Sequence, residues 1–148
     1  MDVEKIIKTE KEIPLESRTI IHFMLISNKV NEAISNALKP YEVSEQQFNV
    51  LRILRGQHNK PANLSTLNNR MITKMSNTTR LVDKLILKGY ANRIVCPTNR
   101  RKVEINITSE GKKVLKKMDV AIKEAEKRIL QNISTTELEQ LNILFNKF

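Results

Sequence analysis

The basic residues of this 148-residue chain are concentrated in one short stretch that has the pattern of a helix followed by a hairpin. From Arg70 to Lys102, nine basic residues accompany one acid, Asp83, so these 33 residues carry +8 (nine minus one) of the chain's formal +10. The nine are Arg70, Lys74, Arg80, Lys84, Lys88, Arg93, Arg100, Arg101 and Lys102. A cationic helix that leads into a cationic hairpin suits the phosphates of duplex DNA. The stretch therefore predicts a winged helix that binds double-stranded DNA.

Apolar periodicity predicts helices on both sides of this stretch. One helix is expected to begin near Pro14 and to end before Pro40, because the residue before a proline avoids the α region. From Ile20 to Ile26, apolar residues cover too much of the helix circumference for burial on one side only. A helix buried on two sides in so small a protein suggests a second chain. The first dozen residues, rich in alternating charges, are expected to form a loosely held arm.

The central part of the chain is expected to alternate short helices with one hairpin. In order, we expect a helix with a capping box at Ser44 and Gln47, a short helix from Leu64 to Met71 capped by Ser65, a helix from Lys74 to Lys88, a stop at Gly89, and strands at 90–95 and 102–107. Two further helices should follow, the first capped by Thr108 and the second by a capping box at Ser134 and Glu137.

The helix expected from Lys74 to Lys88 has two chemically different faces. Met75, Thr78, Leu81, Val82 and Leu85 should pack inward, and Thr73, Ser76, Asn77, Arg80 and Lys84 should point outward. Short hydrogen-bonding side chains near the N-terminus, followed by long cations, suit a helix that enters the major groove by its N-terminal end. Asn77 could pair with adenine and Arg80 with guanine, whereas Lys74 and Lys84 would contact phosphates.

Three segments, VSEQQFNVLRIL, SNTTRLVDKLILKGYANR and NRRKVEINITSEGKKVL, resemble the MarR family of winged-helix transcription regulators in order and spacing. The resemblance runs from Val43 to Leu115. It implies one domain over residues 1–148, mainly α with a small β-hairpin wing. The winged helix-turn-helix DNA-binding lobe would span residues 43–107, and dimerisation helices would come from residues 14–39 and 108–148.

The resemblance also implies a homodimer that binds a palindromic operator, with Arg101, and Arg100 beside it, reaching the minor groove from the wing tip. The family commonly has an aspartate where this chain has Asn99, which can orient Arg101 only through a neutral hydrogen bond. The candidate DNA contacts are Lys74, Ser76, Asn77, Thr79, Arg80, Lys84, Asn99, Arg100, Arg101 and Lys102.

The expected function is a sequence-specific regulator of transcription, usually a repressor in this family, with release by a small-molecule effector left open. The alternative is a nucleoid-like or RNA-binding protein without sequence specificity. No constellation of catalytic residues, phosphate loop, cofactor motif or metal-ligand spacing is visible, so an enzyme is not expected. The N-terminus lacks the apolar core of a secretory signal, and no apolar run is long enough to cross a bilayer, so the expected location is the cytoplasm.

Single residues with reactive side chains leave alternatives open. Cys96 could sense oxidants, since nearby arginines would favour its thiolate, or it could be inert, since the chain offers no second cysteine for an internal disulfide. His22 and His58 have no spacing that suggests a metal site. The side chains nearest a ligand cleft of the family's type would be His22, Met24, Tyr41, Phe48 and Met118, but each fits the core better than a ligand contact and is left unassigned.

Overall fold

The computed structural model describes residues 1–58, 60–73, 77–95 and 103–148. Within these residues the chain forms seven α-helices, one 3₁₀ turn and a two-stranded antiparallel sheet. In chain order they are α1 (Val3–Ile7), α2 (Leu15–Leu38), the 3₁₀ turn (Lys39–Tyr41), α3 (Glu45–Gly56), α4 (Leu64–Arg70), α5 (Thr78–Leu87), β1 (Ala91–Val95), β2 (Val103–Ile107), α6 (Ser109–Leu130) and α7 (Thr135–Phe145). The predicted fold class, mainly α with a small hairpin, is confirmed. None of the described helices is long and apolar enough to span a membrane.

One hydrophobic core joins the small central elements to the two long helices. Leu51 of α3, Leu85 of α5 and Ile105 of β2 belong to the same buried cluster as Leu115 and Met118 of α6. The long helices α2 and α6 pack against each other, and α6 also packs against α3. Each buried aliphatic side chain contributes about 1.5–3 kcal/mol relative to exposure, so this cluster stabilises the central elements and α6 as one unit.

Local capping chemistry determines where the helices begin. The predicted capping boxes at Ser44–Gln47 and Ser134–Glu137 are both present. The prediction that Ser65 caps α4 is wrong, because the extended residue before the helix is Asn63, whose side chain accepts a 2.8 Å hydrogen bond from the Thr66 N–H. Ser65 lies inside the first turn, where its backbone is already helical.

The hairpin pairs β1 with β2 in register from Ala91 opposite Ile107 to Val95 opposite Val103. Ala62 forms an isolated antiparallel bridge to β2 through two backbone hydrogen bonds with Ile105, of 2.9 and 2.7 Å. The sequence did not predict this bridge. Before β1, Gly89 ends α5 with φ of +72°, the left-handed conformation that favours glycine after a helix.

The N-terminal segment is more ordered than the expected loose arm. It contains the five-residue helix α1, in which Val3 is completely buried. Arg18 of α2 donates two hydrogen bonds to Glu4, from Nε at 2.9 Å and from Nη2 at 3.3 Å. These bonds hold the pKa of Glu4 below its ordinary value. The contact therefore favours docking of α1 at neutral pH, and that contribution is lost as the pH falls through the lowered pKa.

Candidate nucleic-acid interface

A helix-turn-helix is formed by α4 and α5 at the centre of the chain. Thr78, the first residue of α5, is buried, and its hydroxyl hydrogen-bonds the side chain of Asn68 in α4. Both helices also contact α3, which lies behind them in the core. The polar link and the shared core fix α5 relative to α4, so the outward face of α5 is held in one orientation.

The two faces predicted for the helix that is now α5 are confirmed for the described residues. Thr78, Val82 and Leu85 are buried and Leu81 is half-buried. Thr73, Asn77, Thr79, Arg80 and Lys84 are exposed. The surface of α5 and of the turn before it therefore presents short polar groups near the helix start and cations further along. Lys74, Met75 and Ser76 lie outside the described residues.

Asn77 has a different structural role from the one that the sequence suggested. The helix begins at Thr78, and Asn77 is its N-cap, with its side-chain oxygen accepting a 3.3 Å hydrogen bond from the Arg80 N–H. A bidentate pair with adenine would use that oxygen as well as the amide nitrogen, so it would share the oxygen with the cap. Arg80 takes part in this cap only through its backbone N–H, so the cap does not occupy its guanidinium group.

The wing begins at the hairpin beside α5. Arg100 and Arg101 were predicted to reach the minor groove from its tip, and Asn99 and Lys102 beside them were further candidate contacts. All four lie outside the described residues, as does Cys96. The described part of the wing is its base, formed by β1 and β2. Because α5 ends directly before Gly89 and β1, the base of the wing and the helix surface are neighbours in the fold as well as in the sequence.

A dense set of hydrogen bonds joins the end of α5, the hairpin and α6. The Thr108 hydroxyl donates to the Gly89 carbonyl at 2.6 Å and accepts from the Gly111 N–H at 2.9 Å. The Thr108 N–H donates to the Tyr90 carbonyl at 3.1 Å. Gly111 lies so close to that carbonyl that an added Cβ would be 2.1 Å from its oxygen. The threonine and glycine of the ITSEG segment therefore fix the wing base to the start of α6.

Among the described residues, one ion pair joins α5 to the hairpin and another lies directly after α5, and sequence reasoning found neither. Arg93 Nη2 of β1 lies 2.8 Å from Asp83 Oδ1 of α5. Lys88, directly after α5, lies 3.2 Å from Glu42 Oε2, which follows the 3₁₀ turn. Oppositely charged residues three or four positions apart on one helix would have suggested an ion pair, but each of these pairs joins residues that are further apart in the sequence.

The residues considered for a ligand cleft differ in how deeply they are buried. Phe48 and Met118 are buried in the core, His22 and Tyr41 are half-buried, and Met24 is exposed on α2. His58 is exposed and has a positive φ of 51° just after α3. These positions give Phe48 and Met118 a packing role.

Comparison with known proteins agrees with this architecture. Residues 43–103 match the model of the MarR family. The HTH-type transcriptional regulator PapX of Escherichia coli is 23% identical over 150 residues, which cover 98% of this chain and 92% of that protein.

Solved structures of similar fold include two regulators from other bacteria. A MarR transcription factor from Planctomyces limnophilus is 26% identical with a TM-score of 0.73, over 93% of this chain and 100% of that one. A MarR-like transcription regulator from Bacillus cereus is 21% identical with a TM-score of 0.79, over 90% of this chain and 96% of that one. The helix-turn-helix, the hairpin and the ITSEG junction all lie in or beside the segment that matches the MarR family model, and the chain has the winged helix-turn-helix fold of these transcriptional regulators.

Proposed function

We propose that this protein is a homodimeric, sequence-specific repressor that binds a palindromic operator in double-stranded DNA, in the cytoplasm. The observation that carries the proposal is the exposed face of α5, with Asn77, Thr79, Arg80 and Lys84, beside the base of a hairpin whose loop is cationic in sequence. A helix with this face fits the major groove, and a basic loop next to it fits the adjacent backbone or minor groove. No catalytic role is proposed.

The proposed dimer uses the terminal helices, from residues 14–39 and 108–148. On α2, Ile20 and Met24 are exposed and one turn apart, with 54% and 62% of their surface accessible. On α7, Leu144 and Phe145 are also exposed. Phe23 of α2 contacts the Phe145 ring, with centroids 6.1 Å apart, so these helices present their apolar residues on adjoining surfaces of one chain. A second copy would remove this apolar surface from water.

The proposed contacts divide into base-reading and phosphate-binding groups. Arg80, with Asn77 and Thr79, is proposed to reach base edges, and Lys84 to contact phosphate. Lys74, Ser76, Asn99, Arg100, Arg101 and Lys102, outside the described residues, remain proposed contacts on the basis of sequence. In a dimer the two α5 helices must lie about one duplex turn, ~34–36 Å, apart. A small-molecule effector would release DNA only by binding better to another arrangement of the two lobes.

The proposal is tested by selecting binding sites from a random library of short duplexes. A palindrome with half-sites about one helical turn apart is expected. Binding of the selected duplex and of a scrambled duplex is then measured by fluorescence anisotropy over a range of salt concentrations. Equal affinity for both duplexes, with a steep salt dependence, would contradict the proposal and indicate a sequence-blind nucleic-acid binder.

Arg80→Ala and Lys84→Ala are expected to affect binding in different ways, although each removes one positive charge from the same helix. Arg80→Ala should reduce discrimination between the selected and scrambled duplexes by about 1–3 kcal/mol for each lost base contact. Lys84→Ala should weaken binding to both duplexes equally and reduce the salt slope by about 0.9 for each lost phosphate contact. Anisotropy titrations of both variants on both duplexes make the comparison. If the two variants behave alike, the assignment of Arg80 to base recognition is wrong.

A further inference from the structure

Asp83 is the one acid among nine basic residues between Arg70 and Lys102. It lies on α5, and half of its side chain is accessible to solvent. A carboxylate on a surface that approaches phosphates lowers the affinity for any nucleic acid by charge repulsion. Asp83 therefore costs binding energy at this position unless it contributes in another way.

Asp83 forms an ion pair with Arg93 of the hairpin, and this pair is the contribution. Arg93 lies on β1, opposite Ile105 of β2, whose side chain is completely buried, so Arg93 lies on the sheet face that packs toward the core. Its Nη2 approaches Asp83 Oδ1 at 2.8 Å, and only 29% of the Arg93 side chain is accessible. Neither Nη2 nor Nε forms a hydrogen bond within the described part of the chain. Charge attraction, rather than a directional bond, holds this pair together.

Apolar packing between α5 and the hairpin becomes weaker toward the wing tip. Ala91, near the start of β1, is buried, whereas Val95, at its end and on the same face, is half exposed. Arg93 lies between these two positions. The ion pair is thus located at the edge of the buried core, opposite the buried Ile105 and one step before the half-exposed Val95 on the same face.

We propose that the Asp83–Arg93 ion pair is a positioning contact that fixes the wing relative to α5, so that it increases sequence discrimination while lowering general affinity for DNA. The inference depends on the proposed function, because it concerns two elements that must contact the same operator together. When the pair is broken, the helix and wing each keep their own DNA-binding groups. They lose the fixed relative orientation that only the correct site requires.

Asp83→Asn tests this proposal, because asparagine has nearly the same size as aspartate but carries no charge. The chain also provides a matched control, Glu42→Gln, which removes one negative charge from an exposed carboxylate and breaks the Lys88–Glu42 pair beside α5, which includes no residue of the hairpin. Arg93→Lys keeps the positive charge at the wing base and should preserve part of the effect. Circular dichroism and thermal unfolding verify that each variant folds.

The readout is the affinity for the selected and scrambled duplexes, measured as above for wild type and variants. For Asp83→Asn we expect scrambled-DNA affinity to rise, selected-DNA affinity to fall and their ratio to drop about fivefold, the size associated with one partly exposed ion pair. Glu42→Gln should raise both affinities together and leave the ratio unchanged. Arg93→Lys should give an intermediate ratio.

The results separate this inference from the proposed function. If wild type discriminates between the duplexes and Asp83→Asn keeps the same ratio, the positioning role is wrong and the regulator proposal stands. A proportional loss of both affinities would indicate mere destabilisation and would also overturn the inference. If wild type itself does not discriminate, the proposed function fails first, and the inference fails with it.

Discussion

Gly111→Ala is expected to lower the free energy of unfolding by about 3 kcal/mol, at the upper end of the usual cost of overpacking. The new Cβ would lie 2.1 Å from the Tyr90 carbonyl oxygen and 2.9 Å from Ile107 Cγ1. The oxygen belongs to the backbone and accepts the Thr108 N–H, so it cannot move aside as a flexible side chain would. Relief of the clash must shift α6 away from the wing base, and this strains the junction that holds both. Urea unfolding at one fixed protein concentration measures the change.

Gly56→Ala is the matched control for this prediction. Gly56 ends α3, its φ is not positive, and a Cβ there would meet no atom within 4 Å. Alanine is favoured over glycine in helices, so this variant should be neutral or more stable by up to about 1 kcal/mol. Equal stability of Gly111→Ala and Gly56→Ala would show that the close approach at Gly111 is not a constraint in solution.

The features predicted correctly from sequence are those encoded by a few neighbouring residues. The capping box at Ser44 and Gln47 needs only four consecutive residues, and the left-handed glycine at Gly89 needs only its place after an apolar helix. The alternation of Val103, Ile105 and Ile107 likewise predicted β2 without reference to its partner. Local chemistry determines such features, so a single sequence was sufficient for them.

The features that were missed depend on contacts between distant parts of the chain. Ala62 pairs with Ile105, and neither the Pro-Ala-Asn context of Ala62 nor its single apolar side chain indicates a strand. Val3 is buried although it belongs to a highly charged segment, because one valine and the Glu4–Arg18 contact suffice to hold α1. These contacts depend on the relative placement of elements, which periodicity does not determine.

The candidate interface contains both features that the sequence predicted and features that it missed. The outward positions of Arg80 and Lys84 followed from helical spacing and are found exposed. The cap role of Asn77 was missed because an apolar pattern that continued back to Met75 predicted an earlier helix start. The Asp83–Arg93 pair was missed because it depends on how the hairpin folds back beside α5. Sequence pattern could indicate which surface is exposed and cationic, but not which contacts support that surface.

Met24→Glu is expected to convert the proposed dimer into monomers at micromolar concentration. In the single chain, 62% of Met24 is accessible, so a glutamate there should not disturb the fold. In a symmetric dimer the same position occurs twice, and burial of an unpaired carboxylate costs several kcal/mol at each occurrence. The dimer Kd should therefore rise by at least about 100-fold, which corresponds to about 2.7 kcal/mol. Sedimentation velocity over a concentration series measures the change.

Leu87→Glu is the control for the association state, because Leu87 is 87% exposed at the end of α5, which is not one of the helices proposed for the dimer, and the same charge is added there. This variant should sediment like wild type. Since simultaneous binding of two half-sites multiplies affinity, the monomeric Met24→Glu variant should also lose most of its affinity for a two-half-site duplex but little for a single half-site. A Met24→Glu variant that remains dimeric would place the interface elsewhere on the chain, and a monomeric wild type would contradict the proposed dimer itself.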